Sequence, residues 1–177
     1  MNAKNRRKKM SKPFLKNILA AVNGSQSSMQ AVMYGIIMAK QYNLNLKIVY
    51  VVDTATVKFL ASSNFFVAEE KDYYLESLRK DGKTYLNYAE NLAKSKGLVV
   101  ETELREGSVW SEIIKSADES NTDMILIGGH ENNNMISGSI ENRKSFAATA
   151  RSEIATFAHC PVLIIHKPEI EALFKIS

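Results

Sequence analysis

Two short segments carry the residues best suited to chemistry, Asn23-Gly24-Ser25 and Gly128-Gly129-His130, and each follows a short apolar run. Glycine lets backbone N–H groups approach a ligand closely, and Ser25 can cap a following helix whose first turn is positively polarised. Together these make a tight turn leading into a helix and a glycine pair at the end of a strand. Other groupings carry less. Gly82-Lys83-Thr84 resembles the end of a Walker-type phosphate loop, but that motif requires glycine at position 77, where Ser77 stands, and the segment lies inside a helix-periodic run. His130, His159 and His166 lack metal-ligand spacing, so no metal site is expected. Ser25, His130 and Asp53 have the side chains of a nucleophile, a base and an orienting acid. No nucleophile elbow surrounds them, so Ser25 reads as a helix cap, no catalytic residue is assigned, and no enzymatic activity is expected.

The elements that must position these segments follow from hydrophobic periodicity. Past Pro13 the chain alternates short β-branched runs with longer segments of helical spacing, the pattern of repeated βα units. Asn17 to Val22 is the first predicted strand, and Met29, Val32, Met33, Ile36 and Ile37 share one face of the helix after it. Leu46 to Val52 reads as a strand buried on both faces, ended by Asp53. Thr54 to about Lys71 lacks clear periodicity and is expected to be a partly ordered excursion, packed on the body through Phe59, Phe65 and Phe66. A long amphipathic helix is predicted from Asp72 to about Lys96, with Gly97 as its C-terminal cap.

Leu98 to Leu104 is the third predicted strand and Gly107 the next turn. Val109, Ile113, Ile114 and Ala117 line the third helix, where Trp110 is a core or edge residue and a candidate partner anchor. Asp123 to Gly129 is a strongly apolar fourth strand. After a polar loop, a helix from about Ser145 to His159 leads to the fifth strand, Pro161 to His166. Five mainly parallel strands with right-handed crossovers make a doubly wound α/β sheet, whose ligands sit beyond the strand C-termini at the switch point. That crevice lies between the turn after the first strand and the loop after the fourth, the two segments singled out above.

The 177 residues, with 45% hydrophobic and 24% charged side chains, suit one globular domain with its own core. Residues 1 to 16 hold seven of the 23 basic side chains and no acidic one, leaving 16 basic against 19 acidic elsewhere. The expectation is a basic, flexible tail over residues 1–14, a domain over 15–168 and a C-terminal tail over 169–177. The basic arm is suited to weak, nonspecific contact with nucleic acid or anionic lipid. Cys160, the single cysteine, lies in an apolar run and is expected to be a buried thiol. No run reaches the roughly 18 apolar residues needed to span a bilayer, and no apolar segment follows the basic N-terminus, so a cytoplasmic protein is expected.

Asn17 to Ser25, Val49-Tyr50-Val51-Val52-Asp53, Gly107, Asp123 to Gly128 and Cys160 to Ile165 together resemble the universal stress protein family over roughly residues 15 to 167. The resemblance implies a Rossmann-like fold of the adenine nucleotide alpha hydrolase type, strand order 3-2-1-4-5. It also implies a regulatory, stress-response role, with homodimerisation through strand 161–166 and contact with a protein partner not identified by sequence. Members that bind ATP carry a loop G-x2-G-x9-G-[ST]. Placed on this chain, the implied nucleotide-binding positions are Asn23, where the family has aspartate, Val51 beside the base, and Gly128, His130 and Thr149 around the phosphates.

The second and third glycines of that loop become Glu131 and Ala148, and 16 residues separate them instead of nine. A carboxylate about 5 Å from a phosphate charge costs on the order of 3 kcal/mol per charge at an effective dielectric of about 20, unless Mg²⁺ bridges them. Arg143 and Lys144 offer partial compensation. An alternative register uses Gly138-Ser139, but leaves only six residues after Glu131. Two readings stay open: a regulatory homodimer with a degraded ATP loop and no cofactor, and an ATP-binding sensor with a remodelled loop.

Overall fold

The computed structural model describes residues 13–62, 68–129, 141–166 and 169–177. The strands are β1 (Asn17–Val22), β2 (Asn45–Asp53), β3 (Glu101–Gly107), β4 (Met124–Gly128) and β5 (Val162–Ile165). The helices are α1 (Gln26–Tyr42), α2 (Thr54–Ser62), α3 (Ala68–Ser95), α4 (Val109–Glu119), α5 (Glu141–Phe157) and α6 (Ile170–Ile176). All strand pairings are parallel, in the order β3-β2-β1-β4-β5, as the resemblance implies.

Alternation of side chains along the strands divides the core in two. Ile18, Ala20 and Val22 of β1 and Ile48, Tyr50 and Val52 of β2 face α1, α3 and Phe174 of α6. Leu19 of β1, Val49 of β2 and Ile125 and Ile127 of β4 face α4 and α5, meeting Ile113, Ala117 and Ile154. Helices therefore cover both faces, as near-continuous apolar strands require.

The caps explain where the helices stop. At the end of α3, Gly97 takes φ +75, its N–H donates to Lys94, and the Leu98 N–H reaches back to Ala93, the paired bonds of a Schellman motif. Asn43 ends α1 in the same left-handed region. Gly82 lies inside α3 against the sheet, where a Cβ would sit 2.6 Å from Leu104 and from Tyr50. Its role is close helix–sheet packing, consistent with rejecting a phosphate loop there.

Several segments differ from the sequence reading: α3 begins at Ala68 rather than Asp72 and α5 at Glu141 rather than about Ser145, and three further stretches depart more. Thr54–Ser62 forms α2, so part of the predicted excursion is helical. Asp53 starts it: its carboxylate accepts from the Thr56 N–H at 2.9 Å and from the Thr56 hydroxyl at 2.6 Å. Residues 98–100 precede β3 rather than belonging to it. The stretch after residue 168, read as a tail, contains α6, which buries Ile170 and Phe174. Seven residues gave too short a window for periodicity to register, and α6 exists because α1 and α3 offer it an apolar seam.

Candidate functional site

The crevice forms where β1 and β4 end side by side, the point at which the chain's progression across the sheet reverses. Gly24 takes φ +83 in the turn after β1. The Asn23 side-chain oxygen accepts from the Ser25 N–H at 3.1 Å, closing an Asx turn. Ser25 caps α1, its Oγ accepting from the Ser28 N–H at 3.2 Å. Ser28 Oγ in turn donates to the Ser25 carbonyl at 2.8 Å and accepts from the Asn23 N–H at 3.2 Å. These four bonds hold the turn rigid and aim the start of α1, which has no acidic residue in its first turn, toward the crevice.

Gly128 closes the other side. A Cβ there would lie 2.5 Å from the backbone of Ser27 and Ser28, so only glycine lets β4 run against the N-terminus of α1. The ring of His166 packs over Gly129, and that of Tyr85 over Gly24, in the space a side chain would need. Tyr85 also stacks on Tyr50, with centroids 6.2 Å apart. Burial first, then the nearby Asp81 charge, pushes the Tyr50 phenol above its ordinary pKa, keeping that ring neutral.

Of the implied nucleotide positions, the fold brings Asn23 and Gly128 together across the β1–β4 boundary. Val51 lies next to them on β2 and packs into the α4–α5 core. Thr149 is an exposed residue of α5. His130, Glu131 and Gly138 lie outside the described residues, as do the side chains of Ala148, Arg143 and Lys144. Sequence reasoning missed Tyr85 and His166 as neighbours of the crevice glycines. Tyr85 registered only as one apolar position of α3, because its contact with Gly24 spans 61 positions of chain and has no local signature.

Elsewhere, Arg105 joins Glu103, Glu112 and Glu119, each at 2.8 Å, and Lys47 joins Glu101 at 2.9 Å and Glu103 at 3.0 Å. This charged network runs along β3, one edge of the sheet. At the opposite edge, β5 is wholly apolar and Ile164 is 40% exposed. Trp110 packs against Phe157, with ring centroids 5.7 Å apart. Cys160 is half-buried, and burial, followed by the charges of Asp118 and Asp123, raises its thiol pKa. Among the described residues, no three His, Cys, Asp or Glu side chains gather as metal ligands, and no helix is long and apolar enough to cross a membrane.

The family model for the universal stress protein family matches residues 15–166. The chain is 26% identical over 156 residues to a universal stress protein of Methanocaldococcus jannaschii, covering 88% of this chain and 85% of that one. Among solved structures it is similar to a universal stress protein family member from Burkholderia pseudomallei, with TM-score 0.66 and 22% identity over 88% of this chain and 98% of the other. It is also similar to a family member from Arabidopsis thaliana solved with AMP bound, with TM-score 0.60 and 14% identity over 88% and 94% of the two chains. The match over nearly the whole domain, on a five-stranded parallel sheet in the order 3-2-1-4-5, means that this chain belongs to the universal stress protein family.

Proposed function

We propose that this chain is a regulatory stress-response protein that acts as a homodimer paired through β5, binds ATP weakly at the β1–β4 crevice, and works through contact with a protein partner rather than by catalysis. The observation that carries the reading is the contrast between the two sheet edges. The β3 edge carries Glu101, Glu103 and Arg105, charged groups of the kind that discourage strand pairing. The β5 edge has the sequence Val162-Leu163-Ile164-Ile165, with Ile164 turned toward solvent. Pairing two copies through that edge buries Ile164 and makes a closed, isologous contact.

Replacing Ile164 with lysine puts a charge at the pairing edge while disturbing the core little. Sedimentation velocity at about 10 µM should show a dimer for the parent chain and a monomer for Ile164→Lys, with unchanged far-UV circular dichroism. A parent chain that sediments as a monomer, or a variant that stays dimeric, overturns the β5 interface.

Weak nucleotide binding follows from sequence and crevice together. The rigid Asn23-Gly24-Ser25 turn and Gly128 are the parts of a cradle, and the Arabidopsis relative holds AMP. Against this, Glu131 brings a carboxylate to the segment after β4, and Ala148, at the position of the motif's third glycine, is a residue of α5 that carries a methyl group. Calorimetric titration with Mg·ATP should give saturable heat only toward the millimolar range, where a site contributes roughly 4 kcal/mol. Micromolar affinity would instead identify an ATP sensor with a remodelled loop.

A further inference from the structure

A cleft of about 510 Å³ opens between α1, α3 and α6, on the helix-covered face behind the Gly24 turn. Its walls include Met29 and Met33 from α1, Tyr85 and Tyr88 from α3, and Glu171 from α6. We propose that this cleft is a binding site for a planar, apolar organic cation, entered from the α3 side of the Gly24-Ser25 turn that it shares with the β1–β4 crevice.

The volume falls within the roughly 300–1,000 Å³ of small-molecule sites. Two thioethers and two phenol rings make a lining that favours a flat apolar body through dispersion and sulfur–aromatic contact. Tyr88 is 51% exposed, so its ring is presented at the cleft rather than consumed by the core. Polar groups enter from Ser25, Gln26 and Thr84.

The sign of the ligand's charge follows from Glu171, the one ionisable carboxylate or ammonium group in the lining. Its Oε1 accepts a hydrogen bond from Gln26 Nε2 at 3.2 Å, and no ion pair within the described residues neutralises it. The lysines packed against α6 are committed elsewhere. Lys40 Nζ donates to the Ser177 carbonyl at 2.8 Å, and Lys96 Nζ lies 4.8 Å above the Phe174 ring. Lys175, one turn along α6, forms no ion pair with Glu171. A ligand cation beside Glu171 gains charge attraction and lies within reach of the exposed Tyr88 face, the pairing that aromatic and acidic groups make with organic cations.

Thioflavin T, a planar cationic dye that brightens when held rigid, and the anionic dye 1-anilinonaphthalene-8-sulfonate probe the cleft in the full-length chain. Thioflavin T should give a saturable rise in emission that saturating Mg·ATP leaves unchanged. Tyr88→Ala should weaken it about tenfold and Glu171→Gln, which keeps an acceptor for Gln26 and removes an exposed charge, about threefold, neither moving the thermal midpoint by more than about a degree. The anionic dye should bind more weakly and be unaffected by Glu171→Gln. Thioflavin T binding that neither variant moves, equal binding of the two dyes, or displacement by Mg·ATP would each overturn the assignment.

Discussion

Gly128 and Gly97 show two different reasons for glycine, and they have different costs. A methyl group on Gly128 would stand 2.5 Å from the Ser27 carbonyl carbon and the Ser28 nitrogen, both backbone atoms that no rotamer change can move. Gly97 has nothing within 4 Å of the same added atom, but holds φ +75. Gly128→Ala should therefore cost about 3 kcal/mol through overpacking, against about 1 kcal/mol for Gly97→Ala through left-handed strain alone. Urea denaturation of the two variants measures the difference. Equal losses would mean that β4 and α1 can separate at the crevice more easily than the packing indicates. The pairing of Gly128 with the α1 start also makes Gly128→Ala the variant in which a crevice ligand should be lost first.

At the scale of elements, ions tie α4 to β3 and β3 to β2, beside the apolar face that α4 packs on the sheet. Burial raises the pKa of Glu103, but hydrogen bonds from Ser116 at 2.6 Å and from Lys47, with the charges of Lys47 and Arg105, more than offset it, so the carboxyl titrates below its usual value of about 4.5. The Arg105 hydrogen bond likewise holds Glu119 below the usual range, as the Arg79 hydrogen bond holds Glu106. A depressed folded pKa means that the unfolded chain binds more protons. The stabilisation is thus complete above about pH 4.5 and is lost as pH falls through the lower folded values.

The urea midpoint should fall steadily from about pH 5 to pH 3 and fall less steeply in Arg105→Gln. At pH 7 that variant should lose about 2 kcal/mol, because it removes the shared partner of three carboxylates, all of them partly solvated and one, Glu103, still paired with Lys47. Parallel acid slopes in the two proteins would show that Arg105 does not set these carboxyls.

At the scale of the whole molecule, charge is divided between an N-terminal segment with seven basic groups and a remainder with 16 basic and 19 acidic groups. Without interleaved aromatic residues, such a segment attracts polyanions by counterion release and reads no sequence. Removing residues 1–12 should abolish salt-sensitive retention on immobilised DNA at low ionic strength. Retention that survives the truncation would place any polyanion contact on the folded body instead. The sheet is divided as well, one edge being charged and the other apolar, so the pairing proposed for β5 does not call on the charged edge.

The order of elements was legible along the chain because strands buried on both faces leave continuous β-branched runs, and helices packed on one face leave three- and four-residue spacings. The Asn23-Gly24-Ser25 turn was legible for the same local reason: positive φ and a capping hydroxyl are properties of single residues, and both are found in place. Residues 54–62 and 170–176 were not read as helices, since segments this short show no resolvable period and their apolar positions become a face only when a partner surface exists. Tertiary structure alone decided that Tyr85 covers Gly24, that His166 covers Gly129, that Arg105 gathers three carboxylates, and that α1, α3 and α6 leave a cleft with Glu171 at its wall. Each of these contacts depends on how separate elements are set against the sheet, a relation between distant positions that no local pattern of residue types encodes.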